Sequence, residues 1–210
     1  SFEKLSSLPG FKKWVGRDLL FDPTSANIDR IRKFFPDAQW DDSASPALDK
    51  YIKNLKELED NLKMKEKDFK DIGDYKFKTK PFDHQRKAFY LSRDKKEFAL
   101  LMEQGTGKTK VIIDNGAYLY SKDEISAMVV IAPNGVHRNW LKEIDTHLPD
   151  WCPRSTFYYY SGMSKKHLEN FNDTMNPLND CLKIFTFNVE AFVSKSAIEL
   201  MNRILLANKV

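Results

Sequence analysis

Gly105-Thr106-Gly107-Lys108-Thr109 is the segment of this sequence whose residue types and spacing most clearly do chemistry. Gly105 and Gly107 carry no side chain that could keep main-chain N–H groups from converging on an anion. Lys108 adds a mobile point charge suited to β- and γ-phosphates. Thr109 adds a hydroxyl suited to Mg²⁺. The full pattern G-x-x-x-x-G-K-[ST] asks for glycine at position 102, where Met102 stands. The expected nucleotide contacts run from Gln104 through Gly105, Thr106, Gly107 and Lys108 to Thr109. Lys108 and Thr109 are the candidate catalytic residues, and Thr109 the candidate Mg²⁺ ligand.

Pro81-Phe82-Asp83-His84-Gln85 lies upstream of this loop. A glutamine amide presents a donor beside an acceptor, so Gln85 could pair with adenine N7 and the N6 amino group at once. An aromatic ring such as Phe82 could lie against the purine face. Phe82 and Gln85 therefore complete an expected site for ATP with Mg²⁺.

These residues need elements to hold them. Residues 81–210 alternate short apolar runs with helical spacing. Strands are expected at Phe98–Met102, Met128–Ala132, Thr156–Tyr160 and Ile184–Phe187. Helices are expected at Lys108–Tyr120, Val136–His147, Lys165–Asn172 and Ala197–Ala207. Short apolar strands alternating with helices predict an α/β domain with a parallel sheet. The phosphate loop would then join a buried strand to a helix whose positive end faces the anion.

Upstream, residues 1–42 read as a small α+β unit. Phe11, Trp14, Val15, Leu19, Leu20 and Phe21 are strand-like, and Thr24 or Ser25 caps a helix carrying Ile28 and Ile31. Residues 43–80 read as an amphipathic helix and a linker. Ser45-Pro46 opens the helix, Leu48, Tyr51, Ile52, Leu55, Leu58 and Leu62 form its stripe, and it extends to about Phe69. Gly73–Lys80 reads as the linker.

The whole chain excludes several classes. It has 210 residues, 41% hydrophobic and 30% charged, with a formal net charge of +4, so it is not a polybasic coat protein. No apolar run approaches the roughly 20 residues of a membrane span. Cys152 and Cys181 offer no disulfide framework or metal spacing, and the four histidines are scattered. Such cysteine usage fits a reducing compartment. The expected location is the cytoplasm of a bacterial or phage-infected cell, with the nucleus as the alternative.

Taken in order, Phe82–Gln85, Met102–Thr109, Val129-Val130-Ile131-Ala132-Pro133-Asn134 with Asn139-Trp140 and Glu143-Ile144, and Ile184-Phe185-Thr186-Phe187 resemble superfamily-two helicases. Ala132-Pro133 through Ile144 resembles the Swi/Snf type of double-stranded DNA translocase. That resemblance covers residues 81–210. It implies an N-terminal RecA-like lobe of the P-loop NTPase class, and helicase loops of this type relax the glycine at position 102. It implies that Pro133, Asn134 and Thr186 line the path of the DNA backbone. Asn134 would also cap the helix that follows, and Trp140 would pack in the core. Leu8-Pro9-Gly10-Phe11, Trp14, Ser25–Ile28 and Phe34-Phe35-Pro36-Asp37-Ala38 with Trp40 resemble the HARP-like accessory domain of annealing helicases. There Lys12, Lys13 and Arg17 would touch branched DNA, with Arg30, Arg32 and Lys33 near the same surface.

The resemblance also implies a further strand ending in an Asp-Glu pair and a second motor lobe, neither of which is in this sequence. The expectation is a fragment of an ATP-dependent DNA translocase that binds nucleotide weakly and turns over little ATP alone. The alternative is a stand-alone DNA-binding or docking module with a non-hydrolysing loop. A P-loop small-molecule kinase is a third reading, which leaves Asn134 and Thr186 without a role.

Overall fold

The computed structural model describes residues 11–16, 18–64, 75–136 and 138–210. The chain divides into two compact units, Ser1–Met64 and Lys65–Val210. Each is described by itself.

In the first unit, β1 (Phe11–Val15) and β2 (Asp18–Phe21) pair antiparallel, with Phe11 opposite Phe21 and Val15 opposite Asp18. Gly16, at φ +64°, makes the turn between them. Thr24 caps α1 (Ser25–Phe34), its Oγ1 accepting from Asn27 N at 3.3 Å. Ile28 and Ile31 are the buried face of that helix. Trp40 meets Phe21 edge-on, ring centroids 6.0 Å apart. A single 3₁₀ turn (Asp42–Ala44) leads into α2 (Ser45–Lys63), with proline in its first turn. Tyr51 Oη donates to Asp29 Oδ1 at 2.7 Å and ties α2 to α1. The helix ends at Lys63, short of the Phe69 expected from its stripe.

The second unit is α/β. Its elements are α3 (Asp83–Ser92), α4 (Lys108–Ser121), β3 (Ala127–Ala132), α5 (Asn139–His147), β4 (Arg154–Tyr158), α6 (Lys165–Met175), β5 (Leu182–Asn188), a 3₁₀ segment (Val189–Val193) and α7 (Lys195–Ala207). The three strands form one parallel sheet in the order β3-β5-β4. The last strand is therefore the central one, and Leu182 through Phe187 are all buried. Its side chains alternate between faces. Leu182 and Ile184 pack with Ile113 of α4, Ile144 of α5, Leu148 and Cys152. Phe185 and Phe187 pack with Phe157, Phe171, Ala197, Leu200 and Ile204 on the face covered by α6 and α7. Among the described residues no helix is long and apolar enough to cross a membrane.

Two sequence expectations are corrected here. Phe98–Met102 is not a strand: it pairs with nothing in the sheet, Leu101 is 95% exposed and Phe98 45%. An apolar run becomes a strand only when a ladder partner takes its N–H and C=O groups, and among the described residues β3 pairs only with β5. The second correction concerns the linker. Residues 75–80 lie across the second unit as a strap. Tyr75 and Phe77 pack with Phe89 and Val111, Trp151 Nε1 donates to the Lys76 carbonyl at 3.0 Å, and Lys78 Nζ donates to the Asp145 carbonyl at 2.9 Å. Residues 65–74 lie outside the described residues.

Candidate functional site

The Gly105–Thr109 segment is a compact turn at the start of α4. Gly105 and Gly107 both adopt left-handed backbone, at φ +81° and +80°. For any other residue that conformation is strained, so the two glycines are what lets the chain turn here. Thr106 Oγ1 donates to the Glu103 carbonyl at 2.7 Å and closes the turn internally. Gly107 is the N-cap of α4, and no side chain caps the first turn. The first amides of a 14-residue helix are thus left for an external acceptor. Lys108 folds back over the loop, its Nζ donating to the carbonyls of Met102 and Glu103 at 2.8 and 2.9 Å. No carboxylate pairs with it among the described residues. Thr109, half-buried, follows on the first turn. Gln104 is exposed at the mouth of the loop.

Gln85 sits against this loop rather than apart from it. Its Oε1 accepts from Phe82 N at 3.0 Å and its Nε2 donates to the Thr106 carbonyl at 3.1 Å. It is 6% exposed. Both ends of the amide are therefore engaged by the chain itself, one fixing the start of α3 and the other fixing the loop. His84 Nε2 donates to the same Thr106 carbonyl at 3.0 Å. Phe82 is 69% exposed and stacks on the His84 ring at 5.7 Å and 12°. An open aromatic plate thus lies beside the loop, as a purine platform requires.

Behind the loop lies a charged pair that sequence reading passed over. Lys110 Nζ meets Asp114 Oδ2 at 2.8 Å, with both side chains almost wholly buried. Tyr75 Oη donates to Asp114 Oδ1 at 3.0 Å, and the Phe77 ring lies 5.1 Å from Lys110 Nζ. Desolvation raises the pKa of Asp114, opposed by its bonds to Lys110 and Tyr75. Burial likewise pushes the Tyr75 hydroxyl up, with the Asp114 charge adding to it. The spacing i, i+4 on α4 is the signal that could have found this pair.

The fold brings several loops to one edge. In a parallel sheet, the segment after each strand leaves from the carboxyl end, which is where such sheets bind ligands. Pro133 and Asn134 follow β3 and are exposed there. Asn134 is not the cap of a helix, however: its Oδ1 accepts from Gly135 N at 3.0 Å within a turn, and α5 starts at Asn139 with Arg138 as N-cap. Val136 lies in the same turn, so α5 begins three residues later than the spacing of Val136 and Trp140 suggested. Trp140 packs against the core as expected.

No protein-family model matches the chain. The curated proteins likewise give no match.

Thr186 stands apart from the other expected DNA contacts. It lies inside β5, paired with Val130 and Tyr158, and is 0% exposed. A central strand covered on both faces offers no side chain to a DNA backbone, so its expected place on that path is corrected. In the first unit, Lys12 and Lys13 are exposed on β1, and Lys12 Nζ is paired with Asp22 Oδ1 at 2.7 Å. Arg17 lies outside the described residues. Among the described residues no cluster of histidine, cysteine and acidic side chains could hold a metal by itself.

Proposed function

We propose that residues 81–210 bind ATP with Mg²⁺ as the N-terminal RecA-like lobe of a superfamily-two, Swi/Snf-type DNA translocase. Residues 1–42 are then its HARP-like accessory domain. The observation that carries the reading is the turn at Gly105–Gly107. Two left-handed glycines open onto an uncapped helix start, with a lysine folded over them that has no carboxylate partner among the described residues. This donor set fits a triphosphate: main-chain amides, one ammonium and the Thr109 hydroxyl.

The residues divide the work. The amides at the start of α4 orient the phosphates without any side-chain rearrangement. Lys108 exchanges two neutral carbonyl acceptors for charged phosphate oxygens, which are stronger partners. Thr109 would hold Mg²⁺ through its hydroxyl, and the ion would supply positive charge beside the phosphates. Gln85 and His84 keep the Thr106 carbonyl in place from behind. Phe82 offers its face to the base. In the parent enzyme, hydrolysis drives movement along or remodelling of double-stranded or branched DNA, with a second lobe supplying the remaining charge stabilisation.

Calorimetric titration with Mg²⁺ and a non-hydrolysable ATP analogue tests the reading. The chain is expected to bind, and Lys108→Ala to abolish binding while leaving the thermal melt unchanged. Wild-type protein that takes up no analogue at millimolar concentration would remove the nucleotide reading. DNA binding that persists without any nucleotide binding would favour the docking-module alternative.

A further inference from the structure

Asparagine followed by glycine occurs twice in this sequence, at Asn115-Gly116 and Asn134-Gly135. Such a pair has a chemistry of its own. The glycine nitrogen can attack the asparagine side-chain carbonyl, because no Cβ on the second residue crowds the approach. The structure puts the two pairs in opposite settings.

Asn115 and Gly116 lie inside α4. In an α-helix the Gly116 N–H points to the carbonyl four residues back, away from its neighbour's side chain. Asn115 Nδ2 donates to Ser92 Oγ at 2.7 Å, which fixes the amide plane, and its Oδ1 is shut from solvent. Gly116 is buried, and a Cβ there would meet Met128 Sδ at 2.9 Å. The Gly116 nitrogen has no room to swing toward Asn115.

Asn134 and Gly135 lie in the exposed turn that follows β3. The Gly135 N–H donates to Asn134 Oδ1 at 3.0 Å. Its nitrogen thus faces the carbonyl group it would attack, and such holding lowers the cost of ring closure. Gly135 stands at φ +81°, and nothing lies within 4 Å of where a Cβ would sit. The turn is therefore free to rotate into the reacting geometry. Val136 N donates to the Pro133 carbonyl at 3.1 Å and keeps the ends of the turn together. Asn134, Gly135 and Val136 are all exposed, so water and hydroxide reach the pair.

We infer that Asn134 is a site of spontaneous deamidation and main-chain isomerisation, from which the fold protects Asn115. Gly135 N gives its proton to base and bonds to Asn134 Cγ. The Cγ–Nδ2 bond breaks, ammonia leaves, and a cyclic imide closes. Water then opens the imide at either carbonyl. One opening leaves aspartate. The other leaves isoaspartate, with the main chain rerouted through the side-chain carbon between β3 and α5. Solvent water is the only co-reactant. Each event replaces a neutral amide by a carboxylate, so the formal net charge of +4 falls by one. That charge arises at the carboxyl edge of the sheet, the edge where parallel sheets hold ligands. The chemistry does not depend on the function proposed above.

The test is peptide mapping by mass spectrometry of the full chain, held for days at physiological temperature and pH 8. Trypsin places the two pairs in separate peptides, residues 111–122 and 123–138. Native protein is expected to convert Asn134 to a mixture of aspartate and isoaspartate and to keep Asn115 intact. Conversion should be several-fold slower at pH 6, because the attacking nitrogen must lose a proton. In urea both asparagines should convert at similar rates, because the contrast comes from the fold. Gly135→Ala should slow conversion at Asn134 several-fold and leave Asn115 intact. Native Asn134 that stays unchanged, while both sites convert in urea, overturns the inference. Native conversion of both sites at one rate overturns it as well. Aspartate formed without isoaspartate overturns the imide route.

Discussion

A methyl group placed on Gly107 would land on Gln85 Nε2, the atom that donates to the Thr106 carbonyl. The Gly105–Gly107 turn and the upstream glutamine are thus one packed unit. Gly107→Ala meets two penalties: the left-handed backbone, about 1–2 kcal/mol for a residue with a Cβ, and displacement of the Gln85 amide. The variant is expected to lose roughly 2–4 kcal/mol of stability, read from urea unfolding. Gln85→Ala removes the collision, so the double variant should be more stable than the two single losses summed. Strict additivity would show that the contact is absent in solution.

Lys110 and Asp114 make a second, independent unit behind the loop. Removing one member of a buried pair leaves an uncompensated charge, at a cost of about 3–5 kcal/mol. Lys110→Met should lower stability by about that amount. Adding Asp114→Asn should restore most of it, because the asparagine amide keeps an oxygen for Tyr75 Oη without a charge. Denaturant titration of the single and double variants measures this. A single variant within about 0.5 kcal/mol of wild type, the range of an ordinary surface change, would mean that the pair is open to water.

Cys152 packs between Leu148 and Leu182, 1% exposed. Burial pushes its thiol up to about 12, only partly opposed by Arg154. The reactive thiolate is therefore nearly absent at pH 8. Native protein treated with iodoacetamide at that pH should leave Cys152 unmodified by mass spectrometry, and denatured protein should be alkylated there fully. Rapid native labelling of Cys152 would contradict the packing of α5 on β5.

What could be read from the sequence follows from the range of each interaction. The tight turn at Gly105–Gly107 was legible because glycine acts there through local backbone geometry, and the structure gives both glycines the left-handed conformation. Alternating helices and apolar runs gave the parallel sheet, because its strands are buried on both faces. Strand order was not legible: nothing local says that β5 inserts between β3 and β4. That non-local fact explains two departures. Thr186 is buried because its strand is central, and Phe98–Met102 is no strand because, among the described residues, β3 pairs with β5 alone. The strap at Tyr75–Lys80 was read as a linker for the same reason. Its partners Asp114, His147 and Trp151 are distant in sequence.

Thr186 separates a core role from a DNA-path role. Its Oγ1 is fully buried and has no hydrogen-bond partner among the described residues. An unsatisfied buried hydroxyl costs about 1–3 kcal/mol, and valine has nearly the same shape without the hydroxyl. Thr186→Val should therefore stabilise the chain, by about 1 kcal/mol, a rise in melting temperature of about 2–4 °C for a chain of this size. Its duplex affinity should match wild type, since no DNA oxygen reaches a residue with zero exposure. If instead the variant melts as wild type or lower and loses duplex binding, β5 must open to expose the hydroxyl when DNA is bound. The sheet edge at Pro133 and Asn134 would then be only part of the DNA path.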